Sequence, residues 1–151
     1  MKDPVLAKEF EALMNDALRS RPDRINGMLG LELVDCSMEE MWAEFSFESR
    51  EWCLNPYDGI HGGIICSAFD TAMGTGAVVF SGKFISTTDI SVSYLRPMTA
   101  KRYIIHVDYT QVGRSMVRCT AKMSNADSGV VYATCMASFA TKDDRAKGIR
   151  I

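Results

Sequence analysis

Apolar and polar residues alternate along much of this chain, and the period of the alternation sorts it into elements. Leu6, Phe10, Leu13, Met14 and Ala17 recur at helical spacing. In front of them, Asp3-Pro4 supplies a capping carboxylate and a proline at the first helical position. The spacing predicts an amphipathic helix over residues 4–19, ended by the breakers Pro22, Gly27 and Gly30. Further on the period shortens to two. Met41, Ala43, Phe45 and Phe47 alternate with Trp42, Glu44, Ser46 and Glu48, the pattern of a half-buried strand. Residues 31–36 are its expected hairpin partner, and Pro56 and Asp58-Gly59 mark the loop that follows.

Residues 61–80, HGGIICSAFDTAMGTGAVVF, break the alternation: they are apolar on almost every face and hold one acid, Asp70. A helix apolar all round is expected to be buried all round. Each glycine lowers helix propensity by roughly 1 kcal/mol, so packing must hold this one together. Beyond Gly82 the two-residue period returns in runs ending at Tyr94, Tyr109, Met123 and Phe139. The breaks RPMTAKR, Gly113-Arg114 and SNADSG read as hairpin turns, which predicts an antiparallel four-strand meander. The expected class is α+β: an antiparallel sheet wrapped around a long central helix, with an extra N-terminal helix. One helix cannot cover both faces of such a sheet. The other face and the edge strands are expected to meet a second copy.

Composition narrows the partners. At 151 residues the chain can bury one real core, and 47% hydrophobic with 24% charged residues is ordinary globular usage. A net charge of −2 without a basic stripe argues against nucleic acid. The opening MKDPVLAKEFEA carries acids where a secretory signal needs an apolar run, and the apolar stretch at 76–80 is short for a bilayer. No membrane partner and a cytoplasmic location are therefore expected. Five cysteines without a C-x-x-C pair fit a reducing compartment, Cys119 and Cys135 falling on apolar strand positions. With only His61 and His106 as histidines and no thiolate pair at ligand spacing, no metal site is expected.

The start of the apolar helix carries the chemistry. A helix N-terminus offers unpaired N–H groups and a partial positive charge, and Gly62 and Gly63 would let a carbonyl approach them as an oxyanion hole. Asp70 lies nine residues beyond His61, roughly 13 Å along a helix and on about the opposite face. One chain cannot easily bring it to its own Gly62.

The run N-P-Y-D-G-I-H-G-G followed by D-T-A, in a chain of this element order, resembles the hotdog-fold thioesterases of the phenylacetate-degradation (PaaI-like) type. The resemblance implies a single hotdog domain over residues 23–141, between an N-terminal helix over 1–22 and a charged, flexible tail over 142–151. It implies hydrolysis of an acyl-CoA thioester to free acid and CoA, with no cofactor. It also implies a homodimer or homotetramer with composite sites: Asn55, His61 and Gly62 from one chain, Asp70 from its partner. Asp70 would act as general base or nucleophile. Asn55 would orient the thioester or the attacking water, and Thr87 would hold the acid or the water. Gly63, Arg96 and Arg114 would contact the substrate, with Arg118 and Lys83 as further cations for the CoA phosphates.

Plainer roles stand beside these. Read plainly, His61 is a helix cap, Asn55 an ordinary turn residue, Cys66 a core residue and His106 a surface residue. Trp52, Leu54 and Tyr57 are candidates for an acyl pocket. A hotdog hydratase or dehydratase, a non-catalytic acyl-CoA-binding module and an interaction protein are the other readings of the chain.

Overall fold

The computed structural model describes residues 2–145, with side chains to residue 142. Helix α1 (Pro4–Met14) begins where Asp3 Oδ1 accepts the N–H groups of Val5 and Leu6, at 3.1 and 3.0 Å. It runs on as a π turn, Asn15–Arg19, and a short α2 (Ile25–Leu29) follows. A hairpin of β1 (Glu32–Ser37) and β2 (Trp42–Glu48) leads through the site loop into α3 (Gly62–Ser81). Then come β3 (Lys83–Tyr94), β4 (Arg102–Val112), β5 (Met116–Asn125) and β6 (Val131–Arg145). The result is the expected α+β architecture, six antiparallel strands around one long helix.

The strand order, β1-β2-β4-β5-β6-β3, corrects the expected meander. Of the four strands after α3, β4, β5 and β6 are hairpin neighbours, whereas β3 lies at the far edge, paired with β6. RPMTAKR is therefore a crossover, not a turn. It must pass three strand spacings, about 14 Å, and seven extended residues reach about 23 Å, so the span is easy. Met98 anchors it midway: the side chain is buried, and its carbonyl accepts the N–H of Ile60 at 2.9 Å.

Helix α3 fills the concave face. Ala68, Phe69, Ala72, Met73 and Ala77 are fully buried against Phe45, Ile105, Val117 and Phe139. The chain runs closest at Gly76, where the hydroxyl of Tyr109 donates to the carbonyls of Ala72 and Met73 at 3.3 and 3.2 Å. A Cβ at Gly76 would lie 1.7 Å from that oxygen. Burial all round holds for residues 71–77 but not for residues 62–70, where Gly63 is exposed and Gly62, Ile64, Cys66 and Asp70 are half-buried. By length and composition alone α3 is apolar enough to cross a membrane, yet two-thirds of the window is buried inside the fold, as a core helix is. Helix α1 closes one side of this core, with Phe10 packed edge-on against Phe45 and Phe80 at 5.7 and 6.0 Å. Strand β6 continues to Arg145, into the stretch expected as a tail; the rest of that stretch lies outside the described residues.

Candidate active site

The loop before α3 is shaped by Asn55. Its Oδ1 accepts the N–H groups of Tyr57 and Gly59 at 2.8 and 3.2 Å, and its own N–H donates to the Gly59 carbonyl at 2.7 Å. Asp58 sits at φ 64°, a left-handed conformation that aspartate tolerates in turns. The loop is pinned on both sides, by Ile60 to Met98 and by the His61 N–H to the Cys53 carbonyl at 2.8 Å.

At the helix start, His61 Nδ1 accepts the N–H of Gly63 at 2.9 Å. The ring is thus a cap, and the Gly63 N–H expected for an oxyanion hole is already engaged. Ile64 and Ile65 donate to the His61 carbonyl, and the Gly62 N–H has no hydrogen bond among the described residues. Tyr94, at the end of β3, donates its hydroxyl to the Gly62 carbonyl at 2.7 Å. Its ring lies 3.4 Å from where a Cβ at Gly62 would sit, an ordinary van der Waals contact. Burial pushes the Tyr94 phenol up, which keeps it a proton donor. Asn55, Gly62, Tyr94, Arg96 and Met98 surround one open cavity of about 450 Å³, and the Arg96 guanidinium lies 5.3 Å over the ring of Tyr132.

Asp70 opens elsewhere. Thr87 Oγ1 donates to its Oδ1 at 2.8 Å, and both line a separate cavity of about 210 Å³. Eight residues of helix from Gly62 give a rise of about 12 Å and a turn of about 80°, consistent with this division.

Sequence-singled residues therefore fall into two groups, Asn55 with Gly62 and Arg96, and Asp70 with Thr87. Arg114 joins neither: it lies in the β4–β5 turn, its carbonyl accepting from Lys83 Nζ and Thr141 Oγ1, beside the far end of α3. A 20-residue helix puts that end about 30 Å from Gly62. Tyr57 is 89% exposed, and the wall beside Gly62 comes instead from Tyr94, Leu95 and Met98. Burial and the nearby Asp70 push the Cys66 thiol up, against a thiolate nucleophile. His106 lies on the outer sheet face between Glu44 and Asp108, at 2.9 and 3.2 Å, and stacks on Trp42. Tyr94 was the site residue without a chemical signature; its one sequence signal was closing the Ile90, Val92, Tyr94 alternation.

Known proteins agree with this architecture. The PaaI protein of the phenylacetic acid degradation operon from E. coli superposes with a TM-score of 0.78 at 16% identity, over 93% of this chain and 96% of that one. A phenylacetic acid degradation-related protein from Ralstonia eutropha gives 0.74 at 20% identity, over 88% and 99%. A thioesterase protein from Streptococcus pneumoniae, solved with coenzyme A, gives 0.73 at 19% identity, over 88% and 99%. Comparison with curated proteins gives no match. The family model of the thioesterase superfamily matches residues 57–132, from the site loop to the first residues of β6, and the chain belongs to that superfamily, with its hotdog fold.

Proposed function

We propose that the protein hydrolyses an acyl-CoA thioester to free acid and CoA, in sites shared between two copies of the chain. The observation that carries this reading is the division just described: Gly62 and Asp70 lie on one helix yet open onto different cavities. A second copy set against the exposed edge strand β3 would bring its Asp70 to the first copy's Gly62. The Gly62 N–H, at the positive end of α3, receives the carbonyl oxygen as it becomes an oxyanion. The side-chain amide of Asn55, whose Oδ1 is held by the loop, orients the thioester or the water through Nδ2. Asp70, steadied by Thr87, takes a proton from the attacking water, or attacks the carbonyl itself and is released by water. In either case the carbon–sulfur bond breaks and the thiolate leaves with a proton. Arg96 stands where a CoA phosphate could reach it; the coenzyme A bound by the S. pneumoniae protein favours CoA as the carrier.

The test is release of free thiol from a panel of aryl- and fatty-acyl-CoAs. The natural chain should hydrolyse one class, and Asp70→Asn should lose a hundredfold or more, roughly the contribution of a general base, while staying folded and associated. Equal rates for the two proteins would remove Asp70 from the chemistry. Binding of acyl-CoA without turnover would replace hydrolysis by a binding function.

A further inference from the structure

The cavity beside Asp70 is walled in part by residues outside the family match. One wall is α3 and β3, with Gly74, Val78, Phe84 and Ile85; the opposite wall is the N-terminal helix, with Leu13, Ala17 and Leu18. Ala17 and Leu18 belong to the π turn Asn15–Arg19. A π turn carries one more residue than an α turn and is often found at functional sites. Here Arg19 fixes it, its guanidinium bonding Glu11 and Asn15 at 2.7 Å each, and Leu18 is buried.

We propose that this cavity takes the acyl group, and that Leu13, Ala17 and Leu18 set the longest group it accepts. The inference rests on the hydrolytic reading, because the carboxylate at its mouth is the one assigned there to the thioester carbonyl. A group acting on that carbon stands beside the start of the acyl chain, so a cavity opening at Asp70 receives the chain. Its volume, about 210 Å³, can be set against a dry cavity of about 150 Å³ that binds benzene. One ring on a short tether, or a chain of roughly six to eight carbons, fills the space; a long fatty acyl chain does not. Ala17 is the smallest side chain on the N-terminal wall and lies four residues from Leu13, on the same side of the helix. Its methyl leaves the room that a larger residue would take.

The measurement is calorimetric titration of the full chain with S-alkyl-CoA thioethers of increasing length, which bind without being hydrolysed. Affinity should climb about fourfold per methylene, the equivalent of about 0.8 kcal/mol, until the cavity is full, and then level off. Ala17→Phe should bring the plateau forward by about two carbons, and Leu13→Ala should delay it. Ala17→Leu repeats the test with a smaller change should the phenylalanine variant fail to fold. A plateau at the same length in all folded variants, or no dependence on length, overturns the proposal. Because thioethers need no turnover, the two readings separate. A moving plateau in a protein that hydrolyses nothing keeps the pocket and removes the enzyme; hydrolysis with a fixed plateau does the reverse.

Discussion

At the scale of single residues, the positions of protons decide what each group can do. The ring of His61 receives the Gly63 N–H and its carbonyl those of Ile64 and Ile65, so among the described residues the Gly62 N–H is the donor left free at the start of α3. Elsewhere burial acts on the thiols. Cys119 and Cys135 are pushed up to about 12 from an ordinary 9.0, chiefly by burial, Cys135 also by the nearby Cys66 and Asp70. Between those values the unfolded chain releases the thiol protons while the folded chain keeps them. Stability is therefore whole below pH 9 and falls as the pH rises toward 12, by about 1.4 kcal/mol per pH unit for each thiol. Urea midpoints taken from pH 8 to 10.5 should drop steeply, and Cys119→Ala should flatten the slope. Identical slopes would mean the thiol is not the titrating group. Asn55, Gly62 and Asp70 could be singled out as candidates because the run that holds them matches a family motif in its spacing. Tyr94 could not, since an aromatic in a strand reads as core whichever way it points.

At the scale of elements, legibility follows exposure. Strands β2, β4, β5 and β6 bury one face and wet the other, so their residues alternate and the sequence displays them. Most of β3 is exposed, as an edge strand's residues are, and its first half carries no such pattern; only Ile90 and Val92 betray it. Its partner was hidden for another reason. A seven-residue break can be a loose turn or a crossover, and spacing alone does not distinguish them. The close approach of α3 to β4 depends on one missing side chain. Gly76→Ala would set a methyl inside the Tyr109 hydroxyl and force the helix or the ring aside. The expected cost is about 3 kcal/mol, at the upper end for overpacking. Chemical denaturation measures it directly, and an unchanged midpoint would show that the ring moves freely.

At the scale of the whole molecule, the two cavities make a prediction about mixtures. If each site takes Gly62 and Asn55 from one copy and Asp70 from the other, Asn55→Ala and Asp70→Asn should each be inactive alone. Mixed subunits should regain about a quarter of the natural activity, because half the pairs then contain one intact site. Recovery only to the sum of the separate rates would place all three residues in one chain's site. The sheet order reaches further still. Among the described residues strand β3 pairs only with β6, some fifty positions away, with Thr87 opposite Phe139. The β4–β5–β6 hairpins close short loops and can form early, whereas β3 must wait for β6 to exist. On a ribosome, then, the apolar helix α3 emerges long before the strand that secures its neighbour. The threonine that bonds the Asp70 carboxylate is thus among the last groups set in place, once nearly all of the chain has been made.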